Sequence, residues 1–192
     1  MIKELAKRIV DYQITKKYLD ITERSKYVYA YEITINQLIN LLISFILALI
    51  LREVYSIMLF LVLYIPIRKY SGGFHASSNE KCILYSSIVI WGIILITKIL
   101  LVCDYDRNLG FTINGMLMLY VNIVAPIETN NKKLDIKERR RYKKYIHFIT
   151  FIHLILIMIN IIMFQSKILS IELLLAYFLL FILLLLEQLK IK

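Results

Sequence analysis

His75 and Cys82 lie seven residues apart in the polar segment RKYSGGFHASSNEKC, which has long apolar runs on both sides. A thiol with an imidazole at hand pairs a nucleophile with its base. On an unbroken helix, seven residues put both side chains on one face but separate them by a rise of about 10.5 Å. That is too far for the roughly 3 Å contact a nucleophile and its base require. The segment supplies an alternative. Gly72 and Gly73 interrupt regular structure and permit positive φ. Ser77 followed by Glu80 is a capping-box spacing that starts a helix at Ser77. His75 then sits in the preceding loop, free to fold back, and Cys82 falls in the second helical turn near the positive end of the helix dipole. There the dipole and an imidazolium both favour thiolate. Arg68, Lys69 and Lys81 add positive potential, and backbone N–H groups around Gly72–Gly73 are candidates to hold an oxyanion.

The elements that position this segment are apolar. The chain has 192 residues, 59% of them hydrophobic, more than a soluble domain of this size carries. Apolar runs cover roughly 33–51, 54–67, 82–103, 109–127, 146–164 and 168–186. The pattern predicts an all-α, polytopic membrane bundle of about six transmembrane helices forming a single domain over 1–192. The second run is short, and Pro66 near its end predicts a helix broken there. Residues 1–31 predict an amphipathic helix or helix pair on the membrane surface. They contain no apolar core of a cleavable signal peptide.

The net charge of +10 suggests nucleic acid in a soluble protein. Here membrane orientation accounts for it. With six spans, 20 of the 24 Lys and Arg fall on the side that holds both termini and the His75–Cys82 segment, and three on the other. The positive-inside rule makes the first side cytoplasmic. Lipid is therefore an expected partner, and nucleic acid is not.

Other motifs narrow the chemistry. Cys82 and Cys103 are 21 residues apart, about 31 Å along one helix, so they cannot pair within the chain. No G-x-S-x-G or Walker loop occurs, and His147 and His153 lack an intervening zincin glutamate. No cofactor or metal is expected. Glu128, after Pro126, is a candidate to orient the histidine, with Asn79, Asn122 and Asn130 as alternatives. The loop 128–147 carries eight basic residues, among them Lys132, Lys133, Arg139, Arg140 and Arg141. It reads either as a solvated, lipid-facing tether or as a docking patch for an acidic peptide.

The run Arg68-Lys69-Tyr70-Ser71-Gly72-Gly73-Phe74-His75-Ala76 with Cys82 after it, and Ala125-Pro126-Ile127-Glu128 leading to Asn131-Lys132, resemble the accessory gene regulator B (AgrB) family of membrane endopeptidases in Gram-positive peptide quorum sensing. Lys133 departs from the proline the family usually has there. The resemblance implies cleavage of the C-terminal tail of an AgrD-like precursor and formation of a cyclic thiolactone or lactone. Cys82 would be the nucleophile and His75 the base, with Arg68 and Gly73 supporting. It also implies a homodimer. A peptide exporter or a membrane regulator without catalysis is the competing reading.

Overall fold

The computed structural model describes residues 2–74, 78–103, 106–128 and 134–191. Seven α-helices follow in order: α1 (Ile2–Thr15), α2 (Arg24–Ile50), α3 (Val54–Ser71), α4 (Asn79–Val102), α5 (Arg107–Val124), α6 (Ile136–Ile159) and α7 (Lys167–Ile191). Five of them (α2, α3, α4, α6 and α7) are long and apolar enough to cross a membrane, and α5 is a shorter apolar helix. The protein is a multi-pass, all-helical membrane protein, and each of the six apolar runs is occupied by one helix.

Two boundaries differ from expectation. α3 is not broken at Pro66 but continues five residues past it, to Ser71. A proline removes one backbone donor; the ladder resumes beyond it. The helix thereby reaches 18 residues, about 27 Å, close to a hydrocarbon core. Secondly, the first span begins at Arg24 rather than near residue 33, and the N-terminal helix packs against its start. α1 packs its Ala6 and Val10 on Val28 of α2, with Leu19, Tyr27 and Tyr31 around them. Arg24 binds Asp11 through two N–H···O bonds of 2.7 and 2.9 Å, and these hold the Asp11 carboxyl below its usual range.

The chain divides into two compact units. The first holds Met1–Leu51 and Ala76–Ile90, that is α1, α2 and the first half of α4. The second holds Arg52–His75 and Trp91–Lys192. Within it α7 is the central element, packed on α3 and α5, while α6 packs on α3 and α5. Ile171, Leu173, Ala176, Tyr177, Leu180 and Leu184 of α7 are buried, as are Ile57, Phe60 and Ile67 of α3 and Val121 of α5. Lipid supplies no hydrophobic drive between helices, so polar contacts help to register them. Glu172 of α7 accepts from Ser56 of α3 and from Thr97 of α4 (3.0 Å). Tyr177 meets His153 Nδ1 at 3.0 Å and donates to Thr150 at 3.4 Å. Asn160 Nδ2 donates to Ser170 Oγ at 2.9 Å where α6 ends in a π turn, Asn160–Phe164.

Candidate active site

The helix-breaking pair Gly72–Gly73 ends α3. Gly72 has φ 72° and ψ −151°, and Gly73 has φ 103°, conformations that L residues rarely adopt. Space also requires glycine. A Cβ on Gly72 would lie 2.3 Å from the Ile127 carbonyl oxygen, and one on Gly73 2.7 Å from an Arg68 nitrogen and 3.1 Å from the Leu183 oxygen. Close approach is what the turn is built on. Ile127 N–H donates to Ser71 O at 3.0 Å, and Phe74 N–H to Leu183 O of α7 at 3.1 Å. Arg68, in the last turn of α3, reaches over the turn and donates to the carbonyls of Gly72 and Phe74, the latter at 2.6 Å. Lys190 of α7 lies 3.9 Å from the centroid of the Phe74 ring, a cation–π contact. Arg68 and Gly73 thus sit in one structural knot that fixes the chain up to Phe74. The Phe74 amide is already used and is not open for an oxyanion.

Glu128 follows Ile127 directly, on the segment tied to this turn, and its side chain is exposed. That segment is fixed from the far side by a residue that reads in the sequence as one more surface charge. Lys143 of α6 donates to the carbonyls of Asn122, Ile123 and Ala125 at 2.6, 3.2 and 3.2 Å. A cation there satisfies the orphan carbonyls at the C-terminus of α5. Asn122 is committed as well: its Nδ2 donates to Met118 O, and its Oδ1 lies 2.8 Å from His147 Nδ1. Asn79 donates from Nδ2 to Glu32 at 2.8 Å, and Asn130 lies outside the described residues.

Cys82 sits in the first unit. His75 and Ser77 lie outside the described residues; the first described cap of α4 is Ser78, whose Oγ accepts from Lys81 N–H at 3.3 Å and whose carbonyl accepts from Cys82 N–H at 3.0 Å. The helix therefore starts at Asn79, two residues later than the capping box predicted, and Cys82 lies at the end of its first turn. The thiol is free and half-buried, whereas Cys103, just beyond the other end of α4, is free and exposed. The Sγ of Cys82 receives the side-chain N–H of Asn40 on α2, with N···S 3.7 Å. Sequence reading missed Asn40, because the two residues are 42 apart and an asparagine inside an apolar run carries no motif of its own.

Of the basic candidates, Lys132 and Lys133 lie outside the described residues. Arg139, Arg140 and Arg141 are exposed at the start of α6. Arg139 and Arg140, with Lys143, rim a groove of about 380 Å³ floored by Ile123, Val124, Ala125, Pro126 and Ile136. Among the described residues no cluster of His, Cys, Asp or Glu could hold a metal ion.

A polytopic helical bundle with a glycine turn between two spans and a half-buried thiol at the head of the next describes an integral membrane protein with a candidate thiol site. The accessory gene regulator B (AgrB) family profile matches residues 3–189, and the chain belongs to that family. It is 25% identical over 172 residues to AgrB-like protein 2 of Clostridium perfringens (strain 13 / Type A), covering 87% of this chain and 80% of the relative. It is 26% identical over 171 residues to an AgrB-like protein of Clostridium perfringens (strain SM101 / Type A), covering 86% and 80%. No solved structure matches. Membership gives the chain a role in accessory gene regulator quorum sensing.

Proposed function

We propose that this protein is a cysteine endopeptidase that removes the C-terminal tail of an AgrD-like precursor and hands the remaining acyl group to a ring-closing nucleophile. The observation that carries the reading is the break between α3 and α4. The helix stops at Ser71, the turn at Gly72–Gly73 is pinned, and α4 begins only at Asn79 with Cys82 in its first turn. The 10.5 Å rise that an unbroken helix would impose between residues 75 and 82 therefore does not apply. In the proposed reaction His75 takes the Cys82 proton, and the thiolate attacks the carbonyl at the end of the future ring. The C–S bond forms as the C–N bond breaks, and the imidazolium returns its proton to the departing amine of the tail. The thioester left on Cys82 is then attacked by a thiol or hydroxyl of the precursor, which closes the ring and frees the enzyme. A site at the membrane interface limits hydrolysis of that thioester. The basic side, which holds 20 of the 24 Lys and Arg, is the cytoplasmic one in this reading, where new precursor is made.

The thioester is directly testable. Purified protein in liposomes is mixed with a synthetic precursor whose ring nucleophile is replaced by alanine, so that the acyl-enzyme accumulates. Mass spectrometry of the acid-quenched sample is expected to find Cys82 carrying the precursor less its tail, and hydroxylamine to remove it. Tail release at full rate with Cys82 unmodified would rule the covalent route out.

The acidic tail of the precursor is proposed to dock on Lys132, Lys133, Arg139, Arg140 and Arg141. The basic rim and apolar floor of the α5–α6 groove support this. Reversing Arg139, Arg140 and Arg141 to Glu is expected to raise KM about tenfold or more, with helical content unchanged by circular dichroism. Unchanged KM would remove the docking role. Lys143 is left out of that variant because its charge belongs to the end of α5.

A further inference from the structure

Within the first unit, α2 carries Glu32, Asn36, Asn40 and Ser44 at four-residue spacing, so all four lie along one face of the helix. Most of the rest of this stretch is apolar, and Leu38, Leu41, Leu42, Phe45 and Ile46 are exposed outward. A row of polar groups inside a membrane-spanning helix is costly, and such rows mark function or helix pairing. Two of the four meet the start of α4. Glu32 accepts from Asn79, and Asn40 Nδ2 donates to the Sγ of Cys82. Ser44 spends its hydroxyl on the Asn40 carbonyl at 2.8 Å. Among the described residues, the side-chain oxygens of Asn36 and Asn40 are buried without a hydrogen-bond partner. A buried amide oxygen left unpaired is a real cost, borne here by the residue that puts its N–H on the candidate nucleophile.

We infer that Asn40 is a further catalytic residue: its side-chain N–H supports the Cys82 thiolate and then holds the oxyanion of the tetrahedral intermediate. The inference rests on the peptidase reading above. As the Cys82 thiolate adds to the scissile carbonyl, the C=O pair moves onto oxygen. That oxygen sits on a carbon bonded to Sγ, so a donor 3.7 Å from Sγ needs only a small swing to reach it at about 3 Å, the separation an oxyanion donor requires. When the pair returns and the C–N bond breaks, the amide resumes its place on sulfur. Asn40 gains and loses no proton, and the proton balance remains with His75. An amide N–H positioned this way offers more to the oxyanion than to the neutral thiol, which is what lowers a barrier rather than merely tightening binding.

The test compares wild type, Asn40→Ala, Asn40→Asp and Cys82→Ala in liposomes with a synthetic AgrD-like peptide, reading tail release as separate kcat and KM. Asn40→Asp keeps the shape and presents only acceptors when ionised. The expected result is a fall in kcat of about 10²- to 10³-fold in both Asn40 variants, the usual loss for one oxyanion donor. KM should stay within about threefold, and helical content and thermal midpoint should match wild type. Full kcat in Asn40→Asp would show that shape alone matters and would overturn the inference. So would a kcat within about threefold of wild type in both variants, measured where Cys82→Ala is inactive; the peptidase reading would then stand alone. Tail release by Cys82→Ala at the wild-type rate would overturn the peptidase reading itself, and this inference with it.

Discussion

Cys82→Ala is expected to bring tail release down to the level of protein-free liposomes, a loss of about 10⁴-fold or more, as removal of a nucleophile produces elsewhere. The substitution leaves the backbone of α4 in place and removes the acceptor of the Asn40 N–H. Cys82 is half-buried, its thiol is unpaired with Cys103, and its backbone N–H bonds Ser78 regardless of side chain. Alanine is the better helix former, so α4 should keep its start. The variant therefore separates chemistry from fold. Circular dichroism and retention on a sizing column should match wild type while activity is gone. Cleavage that persists would remove Cys82 from the nucleophile's place.

Gly72→Ala is expected to abolish activity by the opposite route, through structure. The new Cβ would stand 2.3 Å from the Ile127 carbonyl oxygen, a backbone atom with little room to retreat, since Ile127 N–H is bonded to Ser71 O. The φ,ψ pair of 72° and −151° is itself worth about 1–3 kcal/mol of strain to a residue other than glycine. Either the turn opens or the 125–128 segment moves away, and Arg68 loses the Gly72 carbonyl it holds. Tail release should drop at least about 100-fold, and the thermal midpoint should fall. Gly92→Ala is the matched control. Nothing lies within 4 Å of its added Cβ, and it sits inside α4, where the change should raise helix stability slightly. Equal behaviour of the two variants would remove the turn from its assigned place.

Much of the fold was legible in the sequence. Six apolar runs separated by charge gave the number and order of the apolar helices, because burial in lipid leaves few alternatives for a backbone that must satisfy itself. The boundary at Pro66 was not legible. A proline weakens a helix by one donor, and whether the helix survives depends on neighbours that the local sequence does not name. Lys143 was hidden for a related reason. In a run of eight basic residues nothing marks the one whose ammonium turns inward to three carbonyls. At the candidate site, the helix break at Gly72–Gly73 was legible because glycine carries a local constraint, whereas the two carbonyls that Arg68 holds were not. Asn40 was not, since its contact depends on the packing of α2 against α4. The signal that could have found it is the four-residue polar repeat from Glu32 to Ser44.

The bond from Phe74 N–H to Leu183 O has a bearing on biogenesis. Leu183 lies near the end of α7, the last helix in the sequence and the one against which α3 and α5 pack. The ribosome must add 109 residues after Phe74 before its N–H acquires this acceptor. Arg68 and Ile127 can hold the Ser71–Gly72 part of the turn before α7 is made, and only the Phe74 amide waits for it. Seating α7 then completes a turn that its neighbours have already begun to hold.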